Sequence, residues 1–208
     1  MRVVLQMTVT RILFSPSDEF IVSVSRDLRL CLWKRKGLAE YEFAWEQEKA
    51  HQRVIWDCCW SPQGDRVYTC SRDKKICVWS RSGSELELIN TVKRSVPLTS
   101  IAHHPSMAVL AVGNESGAIA IWNADAPKWV QLAELNVHGQ LPVSRLTFKR
   151  LPATNSVMLA SCGEDQSVRL TRVVITDAFS QLVTFLLCTK MLHGNVPQLV
   201  AKNIRKYL

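Results

Sequence analysis

The sequence predicts an all-β fold made of repeated four-stranded antiparallel sheets. Two segments, Phe14 to Trp33 and Trp60 to Trp79, can be laid over each other almost residue for residue. In each segment, an aromatic-Ser-Pro triplet is followed by a Ser-Arg-Asp turn and then by a Trp, at the same spacing. The composition supports a buried core, because 47% of the 208 residues are hydrophobic. The chain therefore carries an internal structural repeat.

The period of this repeat indicates the architecture. The distance from Trp33 to Trp79 is close to the roughly 40–45 residues of a WD40 unit, in which four strands form one blade of a β-propeller. Two weaker copies follow, one ending at Trp122 and one that keeps Asp165 but has Thr171 at the Trp position. We therefore expect about four WD40 blades, which together make an incomplete propeller.

Short runs rich in Val, Ile, Cys and Trp predict the four strands of the second repeat. Segments with typical turn residues separate these runs, which cover residues 54–60, 66–71, 76–79 and 86–92. A single sheet of this kind is marginally stable in water, so each blade must pack against the next one. The predicted repeats lie within residues 1–175 and cover about 5–36, 51–80, 94–123 and 138–172.

The segment 176–208 has no Ser-Arg-Asp turn and no Trp, and we expect it to be a non-repeat C-terminal tail. Asp177 is a suitable N-cap for a helix over residues 178–192, and Gly194 can end that helix. A second interpretation is that alternative splicing or an imperfect gene prediction produced this segment. An arc of about four blades would expose two blade faces that a closed ring buries, so we expect an open arc that self-associates.

Charge and cysteine content limit the possible functions. The 26 Lys and Arg residues against 18 Asp and Glu give a net charge of +8, which favours nucleic acid or an acidic partner. The basic residues alternate with acidic ones along the chain, which favours an ordinary solvated surface. None of the seven cysteines forms a C-x-x-C pair, so we expect no metal, no disulfide and a reducing compartment. The start of the sequence does not resemble a secretory signal, and no apolar run reaches the roughly 18 residues that a membrane span needs.

The second repeat contains a set of polar residues, His51, Ser71, Asp73 and Trp79, that has two possible meanings. Ser, His and Asp are the residue types of a catalytic triad. Their positions instead match the structural network of a WD blade, in which the Asp binds the His, the His binds the Ser, and the Ser binds the Trp indole. We therefore predict that these four residues rigidify the blade and that the chain has no catalytic residue.

The other repeats keep less of this network. The first repeat has Leu5 at the His position, the third keeps only Trp122, and the fourth keeps only Asp165. These blades are expected to depend more on packing.

The repeats resemble a specific family. The runs FSPSDEFIVSVSRDLRLCLW, HQRVIWDCCWSPQGDRVYTCSRDKKICVW and LASCGEDQSVRL are similar to the later repeats of the WD-repeat subunit 2 of the Elongator complex. The resemblance implies a non-catalytic scaffold without cofactor, which supports modification of the wobble uridine of tRNA and is found in cytoplasm and nucleus. The implied partners are other Elongator subunits. Two alternatives remain open, which are a basic module that contacts RNA directly and an interaction propeller of another complex.

Four residues near the Ser-Arg-Asp turns are candidates for partner binding, namely Arg26, Arg53, Trp56 and Arg72. Trp and Arg are enriched among the residues that anchor protein interfaces. The alternative is that Trp56 packs toward the central channel and the arginines are only solvated.

Overall fold

The computed structural model describes residues 6–124, 129–150, 157–175 and 183–186, in which every regular element is a β-strand. The strands are β1 (Val9–Phe14), β2 (Phe20–Ser25), β3 (Leu30–Arg35), β4 (Tyr41–Gln47), β5 (Ile55–Trp60), β6 (Arg66–Ser71), β7 (Lys75–Ser82), β8 (Glu85–Lys93), β9 (Leu98–His103), β10 (Val109–Asn114), β11 (Ala118–Asn123), β12 (Val130–Asn136), β13 (Val143–Arg150), β14 (Val157–Gly163), β15 (Val168–Ile175) and β16 (Val183–Leu186).

The strands form four antiparallel sheets, each made of four strands that follow one another along the chain. The first strands of consecutive sheets, β1, β5, β9 and β13, contact each other. This arrangement confirms the predicted WD40 propeller blades. The four predicted strands of the second repeat correspond to β5 to β8, of which β7 and β8 are longer than predicted.

The hydrophobic core lies between the sheets and is divided into three clusters. The first cluster joins the first two sheets around Val22, Leu32 and Trp79. The second and third clusters join the second sheet to the third and the third to the fourth. Within the described residues no such cluster joins the first sheet to the fourth.

The predicted helix over residues 178–192 is wrong where the structure describes this segment. Val183–Leu186 forms β16, which pairs with β15 through contacts such as Arg172 to Leu186 and Ile175 to Val183. Without β16 the outer edge of β15 would leave backbone N–H and C=O groups unpaired, and β-branched and aromatic residues suit a strand. The remainder of the predicted helix lies outside the described residues.

A buried carboxylate connects the first strands of all four sheets. Asp57 on β5 is 1% exposed, and its Oδ1 lies 3.2 Å from the guanidinium of Arg11 on β1 and 3.2 Å from that of Arg145 on β13. Its Oδ2 accepts a hydrogen bond of 2.8 Å from Ser100 Oγ on β9. Arg145 also donates to the backbone oxygen of Thr10 at 3.2 Å. We call this group the Asp57 cluster.

Candidate protein-binding face

A hydrogen-bond network fixes the β6–β7 turn of the second sheet. His51 Nδ1 lies 3.0 Å from Asp73 Oδ2, and His51 Nε2 lies 2.8 Å from Thr69 Oγ1. The indole Nε1 of Trp79 donates to the same Thr69 oxygen at 3.1 Å. Asp73 also accepts from the backbone nitrogens of Gln52 and Lys75. The network predicted for this blade is therefore present, with one change of member.

The predicted position of Ser71 between His51 and Trp79 is wrong, because Thr69 occupies that place. Trp79 lies opposite Val67 in the ladder. Ser71 is four residues further along the same strand, or about 13 Å at 3.3 Å per residue, which is too far for a hydrogen bond to the indole. Ser71 Oγ instead donates to the backbone oxygen of Arg53 and accepts from the Asp73 nitrogen, both at 3.0 Å.

The pKa values of His51 and Asp73 indicate a charged pair. Burial lowers the pKa of His51, but hydrogen bonds to Asp73 and Cys77 outweigh burial and raise the pKa to about 9. Burial of Asp73 raises its pKa, yet the hydrogen bonds from His51 and from backbone nitrogens produce a net lowering. Ionisation of both side chains strengthens the bond between them.

Related networks occur in the first and fourth sheets. Trp33 Nε1 donates to Ser23 Oγ at 3.0 Å. In the fourth sheet, His138 Nδ1 lies 2.8 Å from Asp165 Oδ1 and its Nε2 lies 2.9 Å from Ser161 Oγ. The expectation that the fourth repeat keeps only the Asp is therefore wrong. The separation between His and Asp is 27 residues there and 22 in the second repeat, and this difference concealed the match.

These turns place the four candidate binding residues at one end of the first two blades, which we call the upper face. The guanidinium of Arg26 lies 5.7 Å from the ring centroid of Trp56. Arg72 bonds through its backbone nitrogen to Val54, next to the exposed Arg53. The upper face is therefore a basic surface with an aromatic ring in it.

Two features of this face were not expected from the sequence. Arg72 forms an ion pair of 3.2 Å with Glu115 of the third sheet, so it is more than a solvated arginine. The indole Nε1 of Trp56 is buried and has no hydrogen-bond partner among the described residues. Buried polar groups are nearly always hydrogen-bonded, so this unpaired N–H is an exception within the described structure.

Other chemistry has little support within the described part of the chain. No group of three or more His, Cys, Asp or Glu residues there could hold a metal ion. The six cysteines described are free, and burial raises the pKa of Cys31 to about 12, so that it stays a thiol. No helix in the described ranges is long and apolar enough to cross a membrane.

A family model and several known sequences match this chain. The model of the WD domain, G-beta repeat, matches residues 4–34 and 46–80. Elongator complex protein 2 of Drosophila melanogaster is 34% identical over 185 residues, which cover 78% of this chain and 23% of the relative. The Homo sapiens protein of the same name is 30% identical over 207 residues, which cover 80% of this chain and 25% of that relative. The chain thus spans about a quarter of the length of these relatives.

Known structures show the same fold. Sqt1 from Chaetomium thermophilum superposes with a TM-score of 0.72 at 21% identity, over 86% of this chain and 48% of that one. U3-55K gives a TM-score of 0.67 at 19% identity, over 86% and 52%. One of the Sqt1 structures contains the N-terminus of the ribosomal protein L10 as a bound partner. At these identities the likeness concerns the fold.

Proposed function

The chain belongs to the WD-repeat proteins and is homologous to Elongator complex protein 2, and from this premise we propose that it is a non-catalytic scaffold of an Elongator complex. In this role it binds other Elongator subunits in cytoplasm and nucleus and supports modification of the wobble uridine of tRNA. Binding requires no cofactor. A rigid set of blades presents turns and strand ends, on which a partner docks.

The observation that carries this proposal is the arrangement around Trp56. Its indole is stacked under Arg26, and its N–H has no acceptor among the described residues. A partner would contact the part of Trp56 that is open to solvent, while Arg53 and Arg72 contact acidic residues around it. Such a central aromatic residue with arginines around it is typical of the anchors of protein interfaces.

Capture of Elongator subunits tests the proposal. The tagged chain is mixed with an extract, and the subunits retained are quantified by mass spectrometry. The variant Arg53→Glu/Arg72→Glu should lose most of this capture, because both charges are reversed at the upper face. Lys149→Glu/Arg150→Glu is the matched control, since it makes the same change in net charge at two exposed positions of the fourth sheet. Equal capture by both variants would remove the upper face from the binding site.

Salt dependence distinguishes this role from direct RNA binding. If the arginines bind phosphates, affinity for tRNA should fall steeply and linearly on a logarithmic salt scale because counterions are released. A protein interface with a central tryptophan is much less sensitive to salt. If the affinity for tRNA falls steeply with salt and Arg53→Glu/Arg72→Glu abolishes the binding, RNA binding replaces the scaffold role as the assigned function.

A further inference from the structure

A cleft lies between the first and second sheets, at the end of the blades opposite to the upper face. The β1–β2 turn and the β3–β4 and β7–β8 hairpins form it, and its volume is about 460 Å³. Four basic residues line it, Lys34, Arg35, Lys36 and Arg81, against the single carboxylate of Glu19. We call it the basic cleft. The excess of positive charge means that an anionic group is attracted there.

Arg81 is held in a fixed position in the basic cleft. Its guanidinium lies 4.6 Å from the ring centroid of Phe20. Its Nε and Nη1 donate to the backbone oxygens of Gly64 and Gly83, each at 2.9 Å. Its Nη2 donates to no described residue. A guanidinium that is already oriented loses little further freedom on binding, and its free edge suits a planar carboxylate.

The other basic residues leave charge available as well. Arg35 donates to the backbone oxygens of Gly37 and Leu38 at 2.9 and 2.7 Å, and no carboxylate of the described residues forms an ion pair with it. Lys34 is exposed and has no ion pair in the described structure. Lys36 lies 3.6 Å from Glu42, but both side chains are largely exposed, and such pairs contribute little. An incoming carboxylate can therefore replace water around several cations at once.

The surroundings favour a peptide over a nucleic acid. Glu19 within the lining would repel a continuous phosphate backbone, which binds best to an uninterrupted basic groove. Beside the basic cleft, Leu38 is 94% exposed at the tip of the β3–β4 hairpin and offers an apolar contact. We propose that the basic cleft binds an acidic peptide segment of a protein partner, with carboxylates on Lys34 and Arg81 and an apolar side chain against Leu38. This site is separate from the upper face and does not depend on its function.

Fluorescence anisotropy of the full chain with a labelled peptide, in which Glu and Asp flank a single Leu, tests this proposal. The variant Lys34→Glu/Lys36→Glu should bind the peptide about tenfold more weakly. Lys149→Glu/Arg150→Glu has the same net charge and should bind as the unmodified chain does, which separates the cleft from general attraction to a basic protein. Arg81→Lys keeps the charge but loses the planar fork, and it should also weaken binding.

Three outcomes would overturn the proposal. They are the absence of peptide binding, equal weakening by both charge-reversal variants, and tighter cleft-dependent binding of a short RNA than of the peptide. A circular dichroism spectrum and a thermal unfolding curve of each variant show that it is folded. Arg53→Glu/Arg72→Glu should leave peptide affinity unchanged, so failure at the upper face and failure at the basic cleft are distinguishable.

Discussion

Replacement of Asp73 by Ala should destabilise the protein more than replacement of Asp27, although both occupy the same position in their repeats. The Asp73 side chain is 3% exposed and accepts three hydrogen bonds, one of them from the fully buried His51. Asp27 accepts from the backbone nitrogens of Gln6 and Arg29, without a histidine. Asp73→Ala removes bonds to a charged group and leaves the buried His51 unpaired, so it should lower the free energy of unfolding by about 3 kcal/mol. Asp27→Ala removes only bonds from backbone nitrogens and should lower it by about 1 kcal/mol.

Urea unfolding measures this difference. Tryptophan fluorescence and far-ultraviolet circular dichroism should give coincident curves, which justifies a two-state free energy, and the slope m should not change. Glu87→Ala is a suitable control, since Glu87 is an exposed residue of the same sheet as Asp73. Equal losses of stability for Asp73→Ala and Asp27→Ala, or a larger loss for Asp27→Ala, would refute the assigned network.

Three further predictions concern pH, the Asp57 cluster and association. The folded pKa of His51, about 9, lies above its ordinary value of 6.5. Its stabilising effect is therefore complete below pH 6.5 and is lost as pH rises toward 9, so urea midpoints of the unmodified chain and of His51→Gln should converge over that range. Asp57→Asn should cost about 3 kcal/mol in urea unfolding, because two arginines then face a neutral amide; an unchanged midpoint would contradict this. Ile12 and Phe14 are each 59% exposed on β1, and Ile12→Glu/Phe14→Glu should reduce self-association in sedimentation; a monomeric unmodified chain would disprove that expectation.

The sequence was sufficient to predict the repeats and most strands, because the turn residues and the period of the Trp residues are local signals. The identity of the residue between His51 and Trp79 depends on the ladder register, which brings Thr69 and not Ser71 to the indole. Register involves two strands at once and is not visible in one of them. The β16 strand could not be predicted for the same reason. Its apolar residues are compatible with a helix, and only the pairing with β15 makes the segment a strand.

The candidate sites were predictable to different degrees. The basic and aromatic residues of the upper face could be found from the turns in which they lie. The ion pair of Arg72 with Glu115 and the Asp57 cluster join different sheets, so only the packing of the blades reveals them. The basic cleft likewise combines two hairpins from neighbouring sheets. His138 was missed because its longer separation from Asp165 hides the repeat pattern, although an Asp-His pair at variable spacing could have been sought.

The Asp57 cluster has a consequence for the way in which the four blades unfold. In most repeat proteins each unit interacts only with its neighbours, so unfolding can begin at one terminus and proceed unit by unit. Here Arg145 on the last sheet contacts Thr10 on the first, 135 residues earlier, and both it and Arg11 share one carboxylate. Release of either terminal blade would break one of the two ion pairs of the buried Asp57. The blades should therefore unfold as one cooperative unit, with amide exchange in β1 and β13 slowed together.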